Sequence, residues 1–240
     1  MKKVLIIIPA YNEELNIKNT VDNLKKLKLS KKHKLDYMVI NDGSKDNTQK
    51  ICIDNNINVI SLVNNLGIGG AVQTGYKYAY YNDYDIAIQF DGDGQHDPKY
   101  IPHLINEIEN GYNMVIGSRF IENLSKFKST ATRQLGIKIL SLCIKIFGGI
   151  KIYDPTSGFR AVDKNGIKIF ANKYPIEYPE PSSSVDLIKM GLTIKEIPVE
   201  MHEREFGKSS INLSKSVYYM VSVCIAIMVA GLKKGEKLHE

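Results

Sequence analysis

Residues 4–117 alternate short, β-branched apolar runs with stretches whose apolar residues recur at helical spacing, and no other feature narrows the fold as far. Residues 4–10, Val-Leu-Ile-Ile-Ile-Pro-Ala, read as a strand buried on both faces. Ile17, Val21 and Leu24 then mark a helix that Asn12 can cap, with Glu13 and Glu14 at its positive end. Further strands are expected at 35–41, 58–62, 85–90 and 112–117. The helices between them open at Asp46 with Gln49 as a capping box, at the Gly-rich turn Asn64-Asn65-Leu-Gly67-Ile-Gly69-Gly70, and at Asp97-Pro98. This order predicts an α/β fold with a mainly parallel central sheet flanked by helices. Ligands of such sheets sit at the carboxyl ends of the strands, and polar residues recur there: Tyr11 and Glu13, Asp42, Asn65, then Asp91 and Asp93.

The stretch Asp91-Gly-Asp93-Gly-Gln95-His96-Asp97 directly follows the fourth strand. Side chains two apart on extended backbone share a side, so Asp91 and Asp93 can converge on one hard cation, with Gln95 as a neutral oxygen ligand. Gly92 and Gly94 lack a β-carbon and let a bulky anion approach. The set suits Mg²⁺ or Mn²⁺ holding a diphosphate. The plainer alternative is an acidic turn capping the next helix, which Asp97-Pro98 is well made to do. Such a turn needs one acid, and this one has three. The Gly-rich turn lacks the Gly-x-Gly-x-x-Gly spacing, and no Walker Lys-Ser pair follows, which disfavours a dinucleotide oxidoreductase.

A formal charge of +6 favours anionic partners. No basic run interleaved with aromatics accompanies it, so nucleic acid is not expected among them. Cys52, Cys143 and Cys224 are odd in number and widely spaced, which points to a reducing compartment without disulfides. The opening apolar run stops at Pro9, too soon for a secretory segment. In the second half, Lys138 and Lys145 lie seven apart on an apolar helix over 136–147. This is either a basic stripe at a membrane surface or the solvated edge of a core helix. Residues 217–232 carry no charge but are short for a span, and an interfacial or partner-packing helix is expected. The charged tail after it leaves room for a membrane anchor beyond. Arginine occurs only at 119, 133, 160 and 204, against 28 lysines. These four positions would need a planar, multi-donor fork, either for phosphate or for internal pairing with Asp or Glu.

With these residues assembled, the chain resembles family 2 of the GT-A-fold glycosyltransferases, and within it the polyprenyl-phosphate (dolichyl-phosphate mannose synthase-like) branch. The matching pieces are Pro9-Ala-Tyr-Asn-Glu13, Asp42-Gly-Ser-Lys-Asp46, Asn65-Leu-Gly-Ile-Gly-Gly-Ala71, Asp91-Gly-Asp-Gly-Gln-His-Asp-Pro98, Gly117-Ser-Arg119, Asp154-Pro-Thr-Ser-Gly-Phe-Arg160 and residues 204–209. The resemblance implies a Rossmann-like GT-A domain over 1–212, with a nucleotide-sugar half (1–118) and an acceptor half (119–212). Residues 213–240 would add an interfacial helix and a charged tail. It implies that Pro9, Tyr11, Glu13, Asp42, Asn65, Gly69 and Asp91 bind the nucleotide sugar. Asp91, Asp93 and Gln95 would hold Mg²⁺ or Mn²⁺. Arg119, Arg133, Ser157, Arg160, Arg204 and Lys208 would address the acceptor phosphate, with Asp93, Arg119 and Glu180 nearest the chemistry.

The leading expectation is an inverting, metal-dependent transfer of a sugar from a nucleotide sugar to a polyprenyl phosphate, on the cytoplasmic membrane face. A second is transfer to a sugar hydroxyl of a surface glycan. Around Tyr178-Pro-Glu180-Pro-Ser182-Ser-Ser184 this chain has serines where many relatives carry acidic or bulky residues. Glu180 would then be the general base, with Asp154 and Asp186 as rivals. A third is a nucleotide-sugar-binding protein without turnover. Homo-oligomerisation is compatible with all three.

Overall fold

The computed structural model describes residues 1–27, 29–121, 131–202 and 213–233, with backbone alone for 131–133 and 213–219. Strands β1 (Lys2–Ala10), β2 (His33–Asn41), β3 (Val59–Ser61), β4 (Ile86–Gln89), β5 (Met114–Ser118), β6 (Arg160–Asp163) and β7 (Ile194–Pro198) form one sheet in the order β3-β2-β1-β4-β6-β5-β7. Only β6 runs against its neighbours; the other pairings are parallel.

The period of two in β1 feeds two separate cores. Leu5 and Ile7 face helices α3 (Gly67–Tyr81), α5 (Ala131–Gly148), α6 (Lys164–Asn172), α7 (Pro179–Lys189) and α8 (Leu213–Leu232). Val4, Ile6 and Ile8 face α1 (Ile17–Lys25), α2 (Thr48–Asp54) and α4 (Ile101–Glu109). All five side chains are fully buried, which is why the run is continuous rather than alternating. The α3 helix lies so close on β1 that a β-carbon at Gly75 would fall 2.2 Å from Ile7 Cγ2.

The predicted strands of the first half are present, and of the predicted caps Asn12 and Asp97 only the second forms. Asn12 does not cap α1. Its backbone has φ 56° and its side-chain oxygen accepts from the Lys45 backbone N–H at 2.8 Å, so the helix starts at Ile17. Asp97 does cap as expected, accepting from Lys99 N–H at 2.9 Å ahead of α4. In the second half β6, β7 and α7 carry no strong sequence signal. β6 offers only Ala161 and Val162 as apolar residues, and its pairing between β4 and β5 comes from tertiary contacts.

Helices α5, α7 and α8 pack on one another beside β6 and β5. Each of α5 and α8 buries one face. The opposite faces leave Leu135, Ile139, Leu142 and Ile146, and Val221, Ile225, Met228 and Leu232, exposed to solvent. Both sets follow the i, i+4, i+7, i+11 spacing of one helical stripe, and Lys138 and Lys145 are exposed beside the first. Among the described residues no helix is long and apolar enough to cross a membrane.

Candidate functional site

The carboxyl ends of β1, β2 and β4 and the start of α3 enclose a cleft of about 1000 Å³. Pro9 lines it from β1, Tyr11 and Glu13 from just after β1, Asp42 from just after β2, Asn65 from the turn into α3, and Asp91 with Asp93 from the turn after β4. Its walls are tied together through side chains. Asp42 Oδ1 accepts from Leu66 N–H at 2.7 Å, and Asn65 donates to the Asp42 carbonyl at 3.2 Å. Glu13 is buried and accepts from Asn16 Nδ2 at 2.7 Å, while its own N–H donates to Thr48 Oγ1 at 2.9 Å. Gly69 differs from expectation. It faces away from the cleft, where a β-carbon would fall 2.3 Å from the Ile176 carbonyl oxygen, so it is a packing glycine.

The acidic stretch is a turn rather than a continued strand, since β4 ends at Gln89. Gln95 N–H donates to Asp93 Oδ1 at 3.1 Å, and an antiparallel bridge joins His96 to Met201. This turn, not strand alternation, brings Asp91 and Asp93 to the cleft. Gln95 lies off the cleft wall, its Nε2 donating to the His202 carbonyl at 3.3 Å. Asp91 is clamped between His96 Nε2 at 3.1 Å and Gln89 Nε2 at 3.4 Å. Burial works against its ionisation, but the His96 ring and the Arg119 guanidinium outweigh it and hold the carboxyl below the usual range.

The donor set fits a hard divalent cation: two carboxylates border the same cleft, and the Asp91 side chain is 34% exposed. Among the described residues no group of three or more acidic, histidine or cysteine side chains makes a self-contained cage. The remaining ligands would have to be phosphate and water oxygens, which the cleft has room for.

Three residues expected at an acceptor phosphate are engaged inside the protein. Arg119 is buried, with Nε and Nη2 on Asp154 at 2.6 and 2.7 Å and Nη2 also on Thr156. Arg160 is 1% exposed. It donates to the carbonyls of Ser157, Pro155 and Glu180 and to the hydroxyls of Ser183 and Ser184. Ser157 is buried and donates to the Gly117 carbonyl at 2.6 Å. For these three the fork and the hydroxyl serve the scaffold, holding the 154–160 loop to β5 and α7. Arg133 lies in α5 with its side chain undescribed, and Arg204 and Lys208 lie outside the described residues.

Glu180 sits in the first turn of α7, half-buried. Burial raises its pKa, Arg160 opposes the rise, and the Asp91 charge adds to it. Its rivals stand elsewhere: Asp154 is wholly buried against Arg119, and Asp186 feels Lys233 and Lys173 at the other end of α7. The residues that sequence reasoning passed over are His96, Gln89 and Gly158, which surround Asp91. Their signal was faint: an amide at the end of an apolar strand, a histidine within the acidic stretch, and one glycine among several.

Residues 5–169 match the family model for glycosyl transferase family 2. The chain is 35% identical to the UDP-N-acetylglucosamine–dolichyl-phosphate N-acetylglucosaminyltransferase of Methanococcus voltae, over 99% of this chain and 98% of that one. It is 27% identical to the undecaprenyl-phosphate mannosyltransferase of Micrococcus luteus, over 88% of each. Glucosyl-3-phosphoglycerate synthase from Mycobacterium tuberculosis, crystallised with Mn²⁺, uridine diphosphate and phosphoglyceric acid, superposes with a TM-score of 0.69 at 17% identity, over 96% of this chain and 79% of that one. The chain thus belongs to glycosyl transferase family 2 and is a sugar-transferring enzyme with the GT-A fold.

Proposed function

We propose that this enzyme moves a sugar from a UDP- or GDP-sugar to a polyprenyl phosphate, inverting the anomeric carbon, at the cytoplasmic face of a membrane. The observation that carries this reading is the shared cleft of Asp91, Asp93, Asp42 and Tyr11 in a chain whose relatives are named for dolichyl and undecaprenyl phosphate. Pro9, Tyr11, Asp42 and Asn65 hold the nucleoside, and Asp91 and Asp93 would hold the divalent cation. When bound, that ion supplies positive charge against the leaving nucleoside diphosphate. An oxygen of the acceptor phosphate bonds to the anomeric carbon as the bond to the diphosphate oxygen breaks. The attacking oxygen is already an anion, so no proton has to be removed. The protein's part is to position the two phosphates and neutralise them. The paired apolar stripes of α5 and α8, with Lys138 and Lys145 alongside, supply a surface that would lie on a lipid headgroup layer.

Transfer to a glycan hydroxyl is the second reading. Its support is Glu180, a half-buried carboxyl in the first turn of α7 whose pKa burial raises, as a general base requires. Nucleoside diphosphate release, followed across a panel of nucleotide sugars with Mg²⁺ or Mn²⁺, separates the two. Release that requires short-chain polyprenyl phosphate and is lost in Asp93→Ala is the expected result. Slow release indifferent to the lipid, or abolished by Glu180→Gln, would transfer the assignment to a hydroxyl acceptor.

A further inference from the structure

His96 is 3% exposed, enclosed by Phe159 stacked at 4.8 Å and by Phe90 edge-on at 5.4 Å. Its Nε2 lies 3.1 Å from Asp91 Oδ2, and its Nδ1 is buried with no hydrogen-bond partner among the described residues. An ionised carboxylate only accepts, so the proton of this contact sits on Nε2. Burying an imidazole with one nitrogen unmet costs more than burying a phenyl or isobutyl group of similar size in the same aromatic slot. Packing alone does not account for the residue. What the imidazole adds is the single bond to Asp91.

That bond is one of three restraints on the same carboxylate. The Gln89 amide, itself fully buried, reaches Oδ1 at 3.4 Å. The backbone of Gly158 closes the remaining side, where an added β-carbon would fall 2.9 Å from Oδ2. Asp93, by contrast, is held by its own turn through the Gln95 N–H.

We propose that His96 is a positioning residue: its Nε2–H fixes the Asp91 carboxylate in the orientation in which it takes, with Asp93, the cation that accompanies the donor diphosphate. This rests on the function proposed above. Partners of a ligating group that are not ligands themselves are commonly worth 10- to 100-fold in metal affinity. The test is a titration of the full-length protein with Mn²⁺ in the presence of UDP and, separately, GDP, followed by electron paramagnetic resonance and paired with thermal melting. His96→Phe keeps the stacked shape without the donor. It should melt near wild type yet bind the Mn²⁺–nucleotide about 10-fold or more weakly. His96→Gln places an amide N–H where Nε2 stands and should stay within about 3-fold of wild type, whereas the shorter His96→Asn should resemble His96→Phe. Binding by His96→Phe equal to wild type would overturn the role, as would equal losses in the Gln and Asn variants. Failure of the wild-type protein to take up Mn²⁺ with either nucleotide would overturn the site reading and this inference with it.

Discussion

Gly158 is the position where one methyl group tests the geometry of the acidic turn. A β-carbon there would lie 2.8 Å from Gln89 Nε2, 2.9 Å from Asp91 Oδ2 and 3.1 Å from Asp91 Oδ1. An ordinary carbon–oxygen contact is about 3.4 Å or more, so Gly158→Ala obliges the carboxylate or the loop to give way by about half an ångström. The carboxylate cannot yield freely, because His96 and Gln89 hold both of its oxygens. Overpacking of this kind costs about 1–3 kcal/mol of stability. The effect on turnover is larger in proportion: a misplacement of about 1 Å at a reacting centre costs about 100-fold, so half of that predicts about 10-fold. Activity should therefore fall about 10-fold at saturating donor, with a rise in the Mn²⁺ concentration needed for half-maximal rate. Gly111→Ala is the control. Its φ is +99° and nothing lies within 4 Å of the added carbon, so it carries a backbone cost of about 1–2 kcal/mol and no loss of rate. Nucleoside diphosphate release against metal concentration reads both variants. Wild-type rate and metal dependence in Gly158→Ala would refute the claim that the loop backbone sets Asp91.

Glu180→Gln carries a pH signature. Because burial raises the folded-state pKa above the ordinary 4.5, folded protein binds the extra proton and loses stability as pH rises through that window. The Gln variant should thus melt higher than wild type at pH 7.5, with the gain gone near pH 4; a constant difference across pH would contradict it. Arg160→Met leaves the carbonyls of Pro155, Ser157 and Glu180 without their buried donor. It should cost about 3 kcal/mol, a fall in Tm of about 6–12 °C, without selectively raising the KM for acceptor, and a selective rise would restore Arg160 to the acceptor site. Ile139→Glu with Ile225→Glu, both on exposed stripes, should abolish sedimentation with anionic vesicles while sparing donor hydrolysis, and unchanged sedimentation would exclude that face.

The first half of the fold was legible because its determinants are local. A run such as residues 4–8 declares a doubly buried strand by composition alone, and the strand ends carry polar residues that line the cleft. Asp42, Asp91 and Asp93 could therefore be picked out one by one. The second half depends on contacts far apart in sequence. β6 is a strand because β4 and β5 flank it, and its neighbours cannot be read from Arg160-Ala-Val-Asp163. α7 buries three successive serines, Ser182, Ser183 and Ser184, against every expectation of polarity. Two of them are satisfied by Arg160 and the Glu180 carbonyl, partners that no local pattern reveals.

The same distinction explains how the arginines divide. Scarcity correctly marked Arg119 and Arg160 as positions that use a planar fork, but a carboxylate and a phosphate present that fork with the same two oxygens. Only the third dimension separates the two uses. Asp154 is wholly buried and is itself oriented by Glu196, which accepts from the Tyr153 and Asp154 backbone N–H groups at 2.7 and 2.8 Å. Arg119 thus meets a preformed anion, and the pair fastens the end of β5 to the loop that carries Gly158. Gly158 in turn bounds Asp91. Arg119 thus bears on Asp91 through this chain of contacts and through its charge. Arg119, Ser157 and Arg160 thus direct their donors to partners inside the protein, a use that a local sequence pattern does not distinguish from phosphate binding.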